Sequence, residues 1–179
     1  MVRKSTQVAV GGVACSLCLL LMFMSGLIPF ATYAIPATAG ALLVAIVIEN
    51  GSGTALMVYA AVSLLSLFTV SDREAALLFL LFFGHYPILL FRLEQIKPRL
   101  LQKVVKYALF NLCVVGGYLA AVKLFGMQYL IEGMGDAGRI SLLILLGMGN
   151  LLFALYDRAL KNLIIFYIQV FRVRYLHRL

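Results

Sequence analysis

The chain has 179 residues, of which 64% are hydrophobic and only 12% charged, and its mean hydropathy is +1.04. A soluble domain usually carries about 25% charged residues, so this composition cannot wet a globular surface and excludes a soluble protein. The formal net charge of +8 is not gathered in a soluble basic domain. In a membrane chain such an excess marks cytoplasmic loops and headgroup contacts, and nucleic acid is not an expected partner.

Met1-Val2-Arg3-Lys4 followed by an apolar run has the first two regions of a signal peptide. The run continues from Val8 to Ile28 without a small-residue cleavage site ahead of a soluble domain, so it reads as a retained first span. Cys15 and Cys18 form a C-x-x-C inside this run, and Cys113 lies in another. With no further Cys or His nearby to complete a metal or redox site, small-residue packing is the simpler role. A bilayer core of about 30 Å needs roughly 17–25 apolar residues per helix. On that ruler the chain divides into spans near Val8–Ile28, Tyr33–Ile48, Gly53–Val70, Ala75–Phe91, Val104–Lys123 and Ile140–Tyr156. The second is short, with Pro36 near its start, where proline is tolerated in a first turn. The break between Phe125 and Arg139 is the longest and is glycine-rich. Two-residue alternation, the mark of barrel strands, is absent. The expected fold is an all-α integral membrane protein, 1–179 as one transmembrane domain, with six helices in a compact bundle.

Counting basic residues orients the bundle. With the amino terminus inside, twelve Lys and Arg fall on the cytoplasmic side, and only Arg73, Lys123 and Arg139 fall outside. That division obeys the positive-inside rule, and an even number of spans returns both termini to the cytoplasm. Beyond Tyr156 the last helix is expected to extend over 157–179 as an amphipathic basic tail at the interface, with Leu160, Leu163, Ile164, Tyr167, Ile168 and Phe171 at helical spacing. Asp157 and Lys161, four apart with the carboxylate first, can pair along it.

Two clusters stand out within the spans. In the fourth, Gly84-His85-Tyr86-Pro87 interrupts "LLFLLFFGHYPILLF". Pro87 cannot donate to the carbonyl of Phe83 and crowds it, so a bend is expected. Gly84, His85 and Pro87 then form either a kink satisfied by its own neighbours or a hinge. A histidine facing lipid would leave ring nitrogens unpaired, so His85 should point inward, with Asn111 and Asp157 at a similar depth to bond it. In the first span Ala9, Gly11, Gly12, Ala14, Cys15 and Ser16 crowd one half. Small residues let membrane helices approach closely, for internal packing or for docking another membrane protein.

A small six-span chain with both termini inside, small residues in its first helix, a tight first loop and "GNLLFAL" (Gly149–Leu155) in the last span resembles the substrate-binding S components of energy-coupling factor (ECF) transporters. The resemblance covers the whole chain in architecture. It implies a prokaryotic cell membrane, and a vitamin or similar micronutrient captured in a pocket of the outer helix halves. It also implies a transmembrane T subunit and two ATPase subunits as partners. Docking would fall on Ala9, Gly12, Val13 and Ser16, with Val13 standing where a small residue is expected. The chain has no G-x-x-x-x-G-K-[ST] phosphate loop, so ATP chemistry would belong to the partners. Residues placed to meet a small-molecule substrate are Thr32, Tyr33, Tyr118, Lys123, Tyr129 and Asn150. For Asn150, hydrogen bonding between helices is an equal alternative. Asp72-Arg73-Glu74 can simply cap the fourth span.

The alternative class is a membrane scaffold similar to the rod-shape-determining membrane protein D family, given the basic tail and the few pocket-forming polar groups. An enzyme is not expected. The chain has only two histidines, His85 and His177, and no paired carboxylates or Ser-His pair at one depth. No catalytic residue, metal site or cofactor is assigned.

Overall fold

A computed structural model describes residues 4–28, 31–125 and 136–169, with side chains described for 5–28, 31–117 and 146–169. The described residues are helical almost throughout and contain no strand. In chain order the helices are α1 (Lys4–Met24), α2 (Ala34–Asn50), α3 (Ser52–Thr69), α4 (Arg73–Leu78), a π-helical turn (Phe79–Phe83), α5 (Tyr86–Leu93), α6 (Arg99–Phe125) and α7 (Asp136–Phe166). Among the described residues four stretches are long and apolar enough to cross a membrane: Ser5–Met24, Ser52–Thr69, Arg73–Leu93 and Arg99–Gly117. Ala34–Asn50 is a shorter apolar helix. The chain is therefore a helical, multi-pass membrane-associated protein.

Contacts divide the chain into two compact units. The described residues of Met1–Gln95 and Leu160–Leu179 form the first, and those of Ile96–Ala159 form the second.

In the first unit, α1, α2 and α3 pack on one another, and α4, the π-turn and α5 pack on α2 and α3. The shared core is built from Ala14, Cys18 and Met22 of α1, Ala39, Leu43, Ile46 and Val47 of α2, Ala55, Val58 and Val62 of α3, and Ala75, Phe79 and Ile88. Small residues matter here because lipid offers no hydrophobic drive between helices, and close backbone approach supplies the van der Waals contact instead. Cys18 illustrates this. It is fully buried, and its thiol donates to the Ala39 carbonyl at 3.5 Å. The C-x-x-C thus contributes a core residue to the α1–α2 contact. Between α2 and α3 the chain turns on Gly51 alone, whose φ of +86° suits glycine. Asp72 caps α4, accepting a hydrogen bond from the Ala75 N–H at 3.0 Å, as a carboxylate at a helix start should.

The second unit is dominated by α6 and part of α7. Phe153 is 3% exposed, stacks on Phe110 at 4.9 Å and meets Tyr107 edge-on at 5.1 Å. Gly149 leaves room beside the Phe110 ring, where an added Cβ would lie at ordinary contact distance, 3.5 Å.

Candidate functional site

Arg73–Leu93 is the most enclosed of the candidate spans among the described residues and carries the most irregular backbone. After α4 the helix widens over Phe79–Phe83, and the Gly84 N–H bonds five residues back to the Phe79 carbonyl at 2.8 Å. This withdraws the Gly84 N–H from its α-helical acceptor, the carbonyl of Leu80. A carbonyl released inside a membrane must find another donor. Tyr59 of α3 supplies one, its hydroxyl donating to Leu80 O at 2.6 Å. The His85 imidazole hydrogen-bonds to the same carbonyl. The ring of His85 lies 6.1 Å from that of Tyr59 and 6.4 Å from that of Phe82. Beyond Gly84-His85 the helix restarts as α5, with the buried Pro87 in its first turn, where its missing N–H costs nothing.

The break thus falls where Gly84, His85 and Pro87 stand in the sequence. Its form is a π-turn followed by a restarted helix, and its freed carbonyl is satisfied from α3 as well as locally. Gly84 is required by space: a Cβ there would lie 2.5 and 2.7 Å from ring carbons of Tyr59 and 2.9 Å from one of Phe79. Single π-turns inside α-helices are frequent at functional positions.

A second polar cluster occupies the second unit. Lys106, 3% exposed, pairs with Asp157 at 3.0 Å. Asn111 and Asn150 exchange amide hydrogen bonds at 3.1 and 3.2 Å, and each amide also donates to a carbonyl one turn back on its own helix. Asn111 and Asp157, expected at the depth of His85, are thus both engaged within this unit. In the first unit Lys161 meets Glu94 at 3.1 Å.

The remaining predicted residues fall as follows. Thr32 and Tyr33 share the loop ahead of α2, and the Tyr33 hydroxyl donates to Glu74 Oε1 at 2.9 Å. Partial burial, then the Glu74 carboxylate, pushes the Tyr33 phenol up to about 12. The Tyr118 and Lys123 side chains and all of Tyr129 lie outside the described residues. Asn150 takes part in the amide pair. On α1, Ala9, Gly12, Val13 and Ser16 are all exposed, while Gly11, Ala14, Cys18 and Met22 are buried. Nothing lies within 4 Å of a Cβ added at Gly12.

Comparison with protein-family models, with curated proteins and with solved structures finds no match.

Sequence reasoning missed Tyr59, Lys106 and Glu74 as partners. Tyr59 carried a usable signal, since it is the one tyrosine in an otherwise apolar and small-residue span, and a buried phenol seeks an acceptor. Lys106 was legible only as one more cytoplasmic cation.

Proposed function

We propose that this chain is the substrate-capturing membrane subunit of a micronutrient or vitamin uptake transporter, similar to the S components of ECF transporters and driven by separate T and ATPase subunits. The observation that carries the reading is the two-sidedness of α1. Gly11, Ala14, Cys18 and Met22 are used inside the fold, while Ala9, Gly12 and Ser16, with the larger Val13 among them, present a second face outward. Small residues facing outward suit another helix better than lipid, because close approach is the gain they offer. The six-span bundle in a prokaryotic cell membrane, with both termini cytoplasmic, belongs to the same proposal and is supported by the twelve-to-three division of basic residues.

The test is Gly12→Leu. The site is open, so the variant should insert and remain monodisperse while co-purification with a T subunit and ATPases is lost. Retained partners, or a wild-type chain that purifies without such subunits, would overturn the reading. A non-transport scaffold is favoured by one observation: these polar groups are engaged in pairs within the protein, Lys106 with Asp157 and Asn111 with Asn150. Mass spectrometry of small molecules carried through purification separates the two, since only a capture subunit retains a solute.

A further inference from the structure

The charges of the second unit are unevenly matched. Lys106 is buried against Asp157. Lys97, Arg99 and Lys103, just ahead of it, are all exposed, and among the described residues none has an ion-pair or hydrogen-bond partner for its side chain. No carboxylate occurs in α6 at all. Arg99 and Lys103 are four apart, so they share one helix face, and like charges at that spacing repel. An anion bridging the two would turn that repulsion into attraction. Interleaved with these cations are apolar side chains that are also exposed: Leu100 at 78%, Leu101 at 51% and Val104 at 55%. Water is a poor partner for that strip, and a free anion would leave it uncovered. A ligand with an anionic head and an acyl tail answers both halves of the surface.

We infer that Lys97, Arg99 and Lys103, together with Leu100, Leu101 and Val104, form a binding surface for the phosphate headgroup and upper acyl chain of an anionic phospholipid. The site selects phosphatidylglycerol-type headgroups over zwitterionic ones. It rests on membrane residence alone and is independent of whether the chain transports a solute.

Native mass spectrometry of the full chain in detergent tests this with phosphatidylglycerol and phosphatidylcholine of identical acyl chains. The wild type should retain phosphatidylglycerol preferentially, with a preference that falls as salt rises. The triple variant Lys97→Gln, Arg99→Gln, Lys103→Gln should lose that preference by roughly tenfold or more. A control carrying Arg92→Gln and Arg158→Gln should keep it. Equal retention of the two lipids by the wild type, a preference that ignores salt, a triple variant that still prefers phosphatidylglycerol, or displacement of the lipid by inorganic phosphate alone would each overturn the site. The wild-type series keeps the site open to refutation even if the triple variant does not fold, since equal retention or a salt-independent preference overturns it.

Discussion

At the scale of single residues, Gly84 and Tyr59 depend on each other. The tyrosine ring fills the space a side chain at position 84 would need, and its hydroxyl satisfies the carbonyl that the π-turn releases. Gly84→Ala should therefore destabilise the chain by about 1–3 kcal/mol, the usual cost of overpacking, and lower the unfolding midpoint followed by circular dichroism. Tyr59→Phe keeps the ring but removes the bond, at a cost of about 1 kcal/mol. An unchanged midpoint for Gly84→Ala would mean that the Tyr59 ring moves aside freely. Tyr33 offers a pH-dependent readout. Its phenol is raised from the ordinary value of 10 to about 12, so the folded chain holds that proton more tightly than the unfolded one. The associated stability is complete below pH 10 and is lost as pH rises towards 12. Subtracting the alkaline absorbance titration of Tyr33→Phe from that of wild type should leave one phenol titrating near pH 12. A difference centred near 10 would show that neither the partial burial nor the Glu74 bond of Tyr33 persists in solution.

At the scale of elements, the buried ion pair Lys106–Asp157 ties α6 to α7 within the second unit. Two charges withdrawn from water are tolerated only together, and removing one partner of a buried pair costs about 3–5 kcal/mol. Lys106→Met should thus destabilise strongly, whereas Lys106→Met combined with Asp157→Leu should recover most of the loss. The unfolding midpoints of the single and double variants measure the difference, and a double variant no better than the single one would rule out compensation. The helices themselves were largely legible in the sequence, because membrane length and hydropathy fix them. Runs expected at Gly53–Val70 and Ala75–Phe91 appear as Ser52–Thr69 and Arg73–Leu93. Ends were less legible. The fifth run, expected from Val104, starts at Arg99, and the sixth, expected from Ile140, starts at Asp136, whereas the continuation of the last helix past Tyr156 was expected and is seen through Phe166. Helical hydrogen bonds are local and do not stop where hydropathy does. The break in the fourth span was visible in Gly84 and Pro87, but its π-form was not. Nor were the pairings Tyr59–Leu80, Asn111–Asn150 and Lys106–Asp157, which join residues 21, 39 and 51 apart in sequence. Such contacts depend on which helix faces meet, and periodicity within one helix carries no information about its neighbour.

For the whole molecule, the decisive quantity is the number of crossings. α2 has 17 residues, which at 1.5 Å per residue spans about 26 Å, close to the roughly 30 Å hydrocarbon core. Its apolar length is thus nearly sufficient, and Pro36 sits in its first turn, where it does not interrupt the helix. If α2 crosses, α1, α2, α3 and the α4–α5 segment make four passes and return the chain to the side of its amino terminus at Lys97. On the proposed six-span reading, α6 would then carry the chain across towards position 135 and α7 would bring it back towards position 174. Single cysteines introduced by Lys97→Cys, Gly135→Cys and Arg174→Cys, in a background lacking Cys15, Cys18 and Cys113, report this directly. An impermeant thiol reagent added to intact cells should label position 135 alone, and positions 97 and 174 should react only after the membrane is opened. Labelling of 97 and 135 from one side would mean that α6 does not cross. Labelling of 135 and 174 with 97 protected would mean that α6 crosses but α7 does not, leaving the basic end of the chain on the same face as position 135.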